Sequence, residues 1–319
     1  MTVVVVGIGQ VDPDLVVPYL PEDGRFVPDP GPADLLAAVG AIVRADPLVD
    51  ADLLGRMPHL RVLARTGVGT DRVDLAAATA RGIPVVVTPG TGTDAVAEGA
   101  MALTLALVKR LRVSTELVRE GRWSERSGLA LGDLSGATMG LLGHGRIGRA
   151  TARLADAFGM RVLAHDPFAP VTPPALPATL EQVFADSDVI SLHLPLTPQN
   201  HHVVDATRLA CVKPGAVLVN CGRGGLVDLD AAYDALRSGR LGGVGLDVYD
   251  PEPPAHHPLF DHPDVVLTPH LMGLTRRATA LTYADAARGV TAVLSGRAPA
   301  AVANPDWTRH HADPPRSHP

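Results

Sequence analysis

The chain has 319 residues, a formal net charge of −6, 46% hydrophobic residues and 19% charged ones. That length suits two domains, each able to bury a sizeable core, and a small acidic excess without a long basic run argues against nucleic acid as the main partner. The 32 glycines and 29 prolines make up about a fifth of the chain, below the roughly 25–30% of a low-complexity sequence.

The opening run MTVVVVGIGQVD lacks a basic n-region, and its apolar stretch is too short for a signal peptide. Residues 3–6 read as a buried strand. Residues 21–32 read as a loop and 32–39 as a short helix. Strands are expected at 41–43, 60–64 and 84–87, with a helix at 75–81. Strands alternating with helices indicate a parallel sheet. Residues 98–120 then predict one long helix, apolar in its first half and charged in its second, ended by Gly121. Such a helix can link two domains or pack against a second subunit. The longest apolar stretch, 95–108, contains Glu98 and stops at Lys109-Arg110, short of the roughly 18 apolar residues a membrane span needs. No membrane partner is expected.

A more regular series follows, with strands expected at 138–142, 161–165, 188–193, 216–220, 244–247 and 265–268. Helices at 147–158 and 228–237 lie between them, the second with Asp228 as N-cap and Gly239 past its end. Six short strands separated by helices or loops fit a doubly wound sheet. Residues 276–294 are again helical and come after that series closes, so this helix is expected to return to the first domain. Residues 305–319 read as a disordered, proline-rich tail.

Only two residues, Lys109 and Lys213, are lysines. Neither sits in a G-x-x-x-x-G-K-[ST] loop, which sets P-loop phosphoryl transfer aside. Cys211 and Cys221 cannot build a disulfide framework, so a reduced, cytoplasmic protein is expected.

Gly143-His144-Gly145-Arg146-Ile147-Gly148 matches G-x-G-x-x-G after a strand and before a helix, with Asp166 closing the next strand. Gly7-Ile8-Gly9 also follows a strand, but Asp12 stands in place of the third glycine, and that copy reads as a plain turn. In the full motif Gly143 makes the tight turn, Gly145 lets backbone approach a pyrophosphate, and Gly148 lets helix and strand pack closely. The helix start offers free N–H groups and partial positive charge to the phosphates. Asp166 can accept from both ribose hydroxyls and repels a 2′-phosphate, which favours NAD(H) over NADP(H).

Three polar clusters close later strands of the same series: Asn220-Cys221-Gly222-Arg223-Gly224-Gly225, Asp247 to Pro253, and Thr268-Pro269-His270. Ligands bind beyond the carboxyl ends of strands in open parallel sheets, so the clusters are expected to converge on the nicotinamide. An arginine can grip a carboxylate or polarise a carbonyl, and a histidine can trade a proton near neutral pH. A nearby carboxylate favours the charged imidazole. The glycines beside Arg223 argue for close backbone approach to a ligand.

These motifs resemble the D-isomer-specific 2-hydroxyacid dehydrogenase family. The likeness runs from about Leu60 to Leu294 and includes Arg65-Thr66-Gly67-Val68-Gly69-Thr70-Asp71, Ala95-Val96-Ala97-Glu98 and His193-Leu194-Pro195-Leu196-Thr197-Pro198. The resemblance implies two Rossmann-like α/β domains with doubly wound parallel sheets. A discontinuous substrate domain would take residues 1–97 and 276–304, and an NAD-binding domain 98–275. It implies an NAD(H)-dependent oxidoreductase for a small 2-oxo or (R)-2-hydroxy acid, working as a homodimer. Arg223, Glu252 and His270 would be catalytic, with Arg223 on the substrate and Glu252 orienting His270. The amides of Val68 and Gly69 would hold the substrate carboxylate. Arg146 and Ile147 would meet the pyrophosphate beside Gly143, Gly145 and Gly148. Asp166 would meet the ribose, and Asp247 the carboxamide. Pro195, Asn200, Cys221, His270 and Gly273 would line the cofactor.

The same fold and triad occur in NAD-sensing corepressors, and related enzymes oxidise formate or phosphonate. The formate enzymes pair their histidine with glutamine, which Glu252 contradicts. Three departures from the family pattern stand out: Gly92 in place of asparagine, His144 inside the fingerprint, and the bulky run Leu271-Met272-Gly273-Leu274 after the histidine. The pairs His201-His202, His256-His257 and His310-His311 lack metal-ligand spacing, and neighbours on an extended chain point to opposite faces. No metal is expected.

Overall fold

The computed structural model describes residues 3–311. They fall into two compact units: the residues up to Gly92 with those from Arg276 onward, and Thr93–Thr275. No helix among them is long and apolar enough to cross a membrane.

The first unit is a parallel sheet of β1 (Val3–Ile8), β2 (Gly24–Val27), β3 (Gly40–Val43), β4 (Val62–Arg65) and β5 (Val85–Val86), in the order β2-β1-β3-β4-β5. Val5, Ile42 and Val62 are wholly buried, as expected where helices cover both faces of a parallel sheet. Helices α1 (Pro32–Ala37), α2 (Ala51–Gly55) and α3 (Leu75–Ala80) supply cover. Strand β2 lies inside the segment expected as a loop. Its four residues, GRFV, are too few and too mixed to show a period. It forms because the outer side of β1 needs backbone partners, and Val3↔Gly24 to Val6↔Val27 provide them.

The second unit begins five residues before the expected helix, at α4 (Thr93–Val108), and the single long helix is in fact two. Arg110 adopts a left-handed conformation (φ 48°) and α5 (Leu111–Arg119) starts afresh after it. The break is held by the Arg110 guanidinium on Asp264 and by Arg112 donating to the carbonyls of His262 and Val265. Gly121, at φ 68°, ends α5.

Then come β6 (Thr138–Leu142), α6 (Arg146–Ala157), β7 (Arg161–His165), β8 (Leu176–Pro177), α7 (Leu180–Asp186), β9 (Val189–Leu192), α8 (Ala206–Leu209), β10 (Ala216–Asn220), α9 (Leu229–Arg237), β11 (Leu241–Leu246) and β12 (Val265–Leu267). The sheet runs β12-β11-β10-β9-β6-β7-β8, all parallel. Six strands were expected; the two-residue edge strand β8 makes seven. Strand β11 starts three residues early because Gly242 and Gly243 hide its pattern. A Cβ on Gly243 would stand 3.0 Å from Leu107 Cδ2, and one on Gly245 3.2 Å from Leu103 and Leu107. Bare backbone there lets α4 lie flat on the sheet. Strand order reverses between β6 and β9, which opens a crevice at their carboxyl ends.

The last helix, α10 (Arg276–Leu294), packs on β3 and β4 of the first unit. Residues 301–304 then run antiparallel to β5, bridged at Val86↔Val302. Buried Asn304 locks them, accepting from Val85 N–H at 2.7 Å and donating to Ile83 O at 2.9 Å and Thr79 Oγ1 at 3.0 Å. The expected disorder from 305 is therefore corrected in part: Pro305–His311 is a 3-10 helix beside α3. Residues 312–319 of that tail lie outside the described residues.

Candidate active site

The fingerprint follows β6 and opens α6. Gly143 sits at φ 97°, and a Cβ there would come within 2.6 Å of His193 O. A Cβ on Gly148 would reach 2.1 Å from Gly143 O. Those two glycines are required by the turn and by helix–strand packing. Gly145 differs, because a Cβ there would meet nothing within 4 Å. It is the N-cap of α6 and has no side-chain cap. The first backbone bond of the helix runs from Arg149 N–H to Gly145 O, so the N–H groups of Arg146, Ile147 and Gly148 point outward without partners among the described residues. Open space and free donors at one spot fit a dinucleotide pyrophosphate.

Asp166 ends the neighbouring β7. Its Oδ2 accepts from His144 N–H at 2.7 Å, and its Oδ1 from Phe168 and Ala169 N–H, both at 2.9 Å. Burial pushes this carboxyl upward, but the three backbone donors outweigh burial and leave it below the usual carboxylate range. The side chain is thus ionised at neutral pH. Three of its about four lone-pair positions are thus used within the chain.

Two histidines back this turn, His144 wholly buried and His193 half-buried. His144 places Nε2 3.3 Å from Thr172 Oγ1, and His193 places Nε2 3.0 Å from Ser191 Oγ. The Nδ1 of each is buried with no hydrogen-bond partner. Burial lowers the His144 pKa and pushes His193 down to about 4.

The three polar clusters stand at the ends of adjacent strands β10, β11 and β12. In the first, buried Asn220 accepts from Gly222 N–H at 3.0 Å and donates to Arg223 O at 2.9 Å, which curls the loop under the arginine. Arg223 Nη1 donates back to Gly222 O. The glycines here permit close approaches within the protein's own chain. A Cβ on Gly224 would lie 2.0 Å from the Tyr249 carbonyl carbon, and one on Gly222 3.0 Å from Leu194 O. The loop bearing Arg223 is pressed against the loop bearing Glu252.

Glu252 Oε1 accepts from Tyr249 N–H at 3.0 Å, and Oε2 lies 2.8 Å from His270 Nδ1. The side chains of His270 and Glu252 are 47% and 38% exposed. An ion pair that open adds little stability, so its effect is to aim the imidazole. His270 itself has φ 51°, a left-handed conformation costly for a non-glycine residue and concentrated at functional sites.

What imposes that conformation is Asp247, 2% exposed. Its Oδ1 accepts from Thr268 Oγ1 at 2.7 Å and Leu271 N–H at 2.9 Å, and its Oδ2 from Met272 N–H at 3.2 Å. The carboxylate expected on the nicotinamide amide is first a clamp on either side of His270. Burial and the Asp247 charge together push the Cys221 thiol up to about 12 and the Tyr249 hydroxyl up to about 12. Cys221 is therefore a thiol, and it packs in the core beside α4.

Other expected site residues hold structure. Asn200 accepts from Thr197 N–H and donates to Pro195 O, both at 2.7 Å, so both ends of its amide brace the exposed Pro195 loop. Gly273 sits in the turn after Met272, 3.4 Å from Val96 as measured from an added Cβ. In the first unit, Gly67 N–H donates to Thr88 Oγ1 at 2.8 Å, which fixes the loop after β4. The N–H groups of Val68 and Gly69 have no acceptor among the described residues, and Val68 is 57% exposed.

Sequence reasoning missed Asn220, Thr268 and Tyr249 as organisers, although all three stood inside the quoted clusters. It also misread His201-His202. His202 has φ 51°, so the chain is not extended there, and the two rings stack at 3.9 Å. His256 and His257 lie beside Asp261 and Asp230. The side chains of His310-His311 lie outside what is described.

A family model described as D-isomer specific 2-hydroxyacid dehydrogenase, NAD binding domain, matches residues 101–272. The D-3-phosphoglycerate dehydrogenase of Mycobacterium leprae is 41% identical over 280 residues, 85% of this chain and 53% of that protein. The chain thus spans about half the length of that relative. A D-lactate dehydrogenase of Aquifex aeolicus, solved with NAD and lactic acid, superposes with TM-score 0.78 at 29% identity, covering 92% of this chain and 96% of that one. An NADPH-dependent glyoxylate/hydroxypyruvate reductase of Sinorhizobium meliloti superposes with TM-score 0.84 at 31% identity, covering 95% and 99%.

His193, whose Nδ1 is shut away from solvent without a partner, gives a pH dependence. Between about pH 6.5 and 4 the unfolded chain protonates His193 while the folded one does not, so stability falls as pH drops through that window. The slope from this group is about 1.4 kcal/mol per pH unit. Urea unfolding at pH 7 and pH 5 is expected to show that loss, and His193→Gln to reduce it. Equal pH slopes for the two proteins would contradict the burial argument.

Proposed function

Because the chain belongs to the D-isomer specific 2-hydroxyacid dehydrogenase family, we infer that it is an NAD(H)-dependent oxidoreductase interconverting a small 2-oxo acid and its (R)-2-hydroxy acid. The observation that carries this reading is the 2.8 Å contact between Glu252 and His270 Nδ1 at the strand edge where the fingerprint also opens. When bound, NADH would supply a hydride to C2 of the oxo acid. His270 donates a proton from Nε2 to the oxygen on C2, and the reverse reaction returns it. Glu252 accepts from Nδ1–H and so fixes the tautomer and the aim of the ring. Arg223 binds the substrate's oxygens, and the amides of Val68 and Gly69 bind its carboxylate. Gly143, Gly145, Arg146, Ile147 and Gly148 cradle the pyrophosphate, while Pro195, Asn200, Cys221, Asp247 and Gly273 form the cofactor's surroundings.

The Sinorhizobium relative is NADPH-dependent by description, so family membership alone does not choose the dinucleotide. The ionised Asp166 at the end of β7 favours NAD(H), since a 2′-phosphate beside it would be repelled. A homodimer accompanies this reading. Leu111, Val118, Trp123 and Leu131 are each more than half exposed on and after α5, and large exposed apolar groups of that kind mark interaction surfaces.

Purified protein should oxidise NADH with glyoxylate, hydroxypyruvate, pyruvate or a branched 2-oxo acid, and NADPH far more slowly. His270→Gln should lower kcat by about 10²–10⁴-fold while NADH still binds. NADH binding without turnover on any acid would overturn the enzymatic reading, and equal rates with NADPH would overturn the role of Asp166. Light scattering should give twice the chain mass; a monomer mass that persists at micromolar concentration would remove the dimer.

A further inference from the structure

Immediately after His270 the chain makes a tight turn, closed by Leu274 N–H donating to Leu271 O at 2.8 Å. In such a turn the first and last residues stand side by side. Here both are leucines, and both are exposed, Leu271 by 42% and Leu274 by 56%. The turn is rigidly held. Asp247 takes the N–H groups of Leu271 and Met272, and the Met272 side chain fills the notch left by Gly99 on α4, where an added Cβ would lie 2.6 Å from its sulfur. Met272 is thus drawn inward while the two leucines remain outside. No residue from Leu271 to Thr275 carries a charge.

A pair of clamped, outward apolar side chains one and four residues past the proton donor has a direct chemical consequence. If His270 reaches the oxygen on C2, the group attached to C2 lies within a few ångströms of this turn. We propose that Leu271 and Leu274 form an apolar seat for the side chain of the 2-oxo acid, so that the enzyme selects acids with a branched aliphatic side chain over phosphorylated or unsubstituted ones. This inference rests on the dehydrogenase reading above and assigns the substrate class of the same site. The leucines would otherwise expose apolar area to water, and covering them with a substrate's methyl groups recovers the free energy of that burial. An extra methylene in a hydrophobic pocket is worth roughly 10–200-fold in kcat/KM.

The test compares kcat/KM for 4-methyl-2-oxopentanoate, glyoxylate and 3-phosphonooxypyruvate in wild type, Leu274→Ala and the Leu271→Ala/Leu274→Ala double variant. Wild type should prefer 4-methyl-2-oxopentanoate to both others. The ratio of its kcat/KM to that of glyoxylate should fall about tenfold or more in the double variant. A turn that merely supports His270 would slow both acids alike and leave the ratio unchanged, and that result overturns the proposal. So does a wild-type preference for 3-phosphonooxypyruvate or for glyoxylate. Turnover of no acid at all overturns the dehydrogenase reading itself and this proposal with it, a result distinct from turnover without apolar preference.

Discussion

The buried carboxylate of Asp247 is the contact on which the rest of the site depends. It sits just past β11 and accepts from Thr268 before His270 and from Leu271 and Met272 after it. A buried anion is tolerated only when such donors surround it. The cost of leaving it unsatisfied is what forces the chain around His270 into its left-handed turn. Burial, reinforced by the same charge, raises the Tyr249 and Cys221 pKa values, so neither group ionises near the histidine. Tyr249 hydroxyl lies near the carbonyls of Leu246 and Thr268, and its N–H holds Glu252. One carboxylate therefore organises the backbone on either side of His270, and Tyr249 ties the ends of β11 and β12 to the loop that carries Glu252.

The parallel sheet explains why these pieces meet. Successive strands all end on the same edge, so loops widely separated in sequence are stacked side by side. Stacking them requires removing side chains where backbones cross. Gly224 against Tyr249, Gly148 against Gly143 and Gly143 against His193 are each too close for a Cβ. Gly145 alone in the fingerprint faces open space. The contrast separates glycines that pack the protein from the one that leaves room for a ligand.

Much of this was legible in the sequence, because strand ends, glycine spacing and chemically paired residues are local signals. The Glu252–His270 pair, the Asp228 cap and the whole of α10 came out as read. What was not legible depends on three-dimensional neighbours. Strand β2 exists only because β1 leaves backbone groups to pair. The break at Arg110 needs Asp264, which lies far along the chain. The backbone of Tyr249 that passes Gly224 is invisible to glycine spacing. Asn304 read as nothing in particular, yet three buried hydrogen bonds make it the fastener of the C-terminal segment. Asn200 and Asp247 carry expected cofactor roles, while the donors they satisfy within the chain are set by the folded loops around them.

The fingerprint and the Glu252–His270 pair are proposed to serve one chemical event, direct hydride delivery to C2 of a 2-oxo acid with a proton from His270. Single-turnover reaction with NADH carrying deuterium on each face of C4 in turn, followed by NMR of the product, tests it most directly. One of the two labelled cofactors should place deuterium on C2 of an (R)-2-hydroxy acid while the other leaves hydrogen there. Hydrogen at C2 from both labelled forms, or deuterium appearing there only from heavy-water solvent, would contradict it.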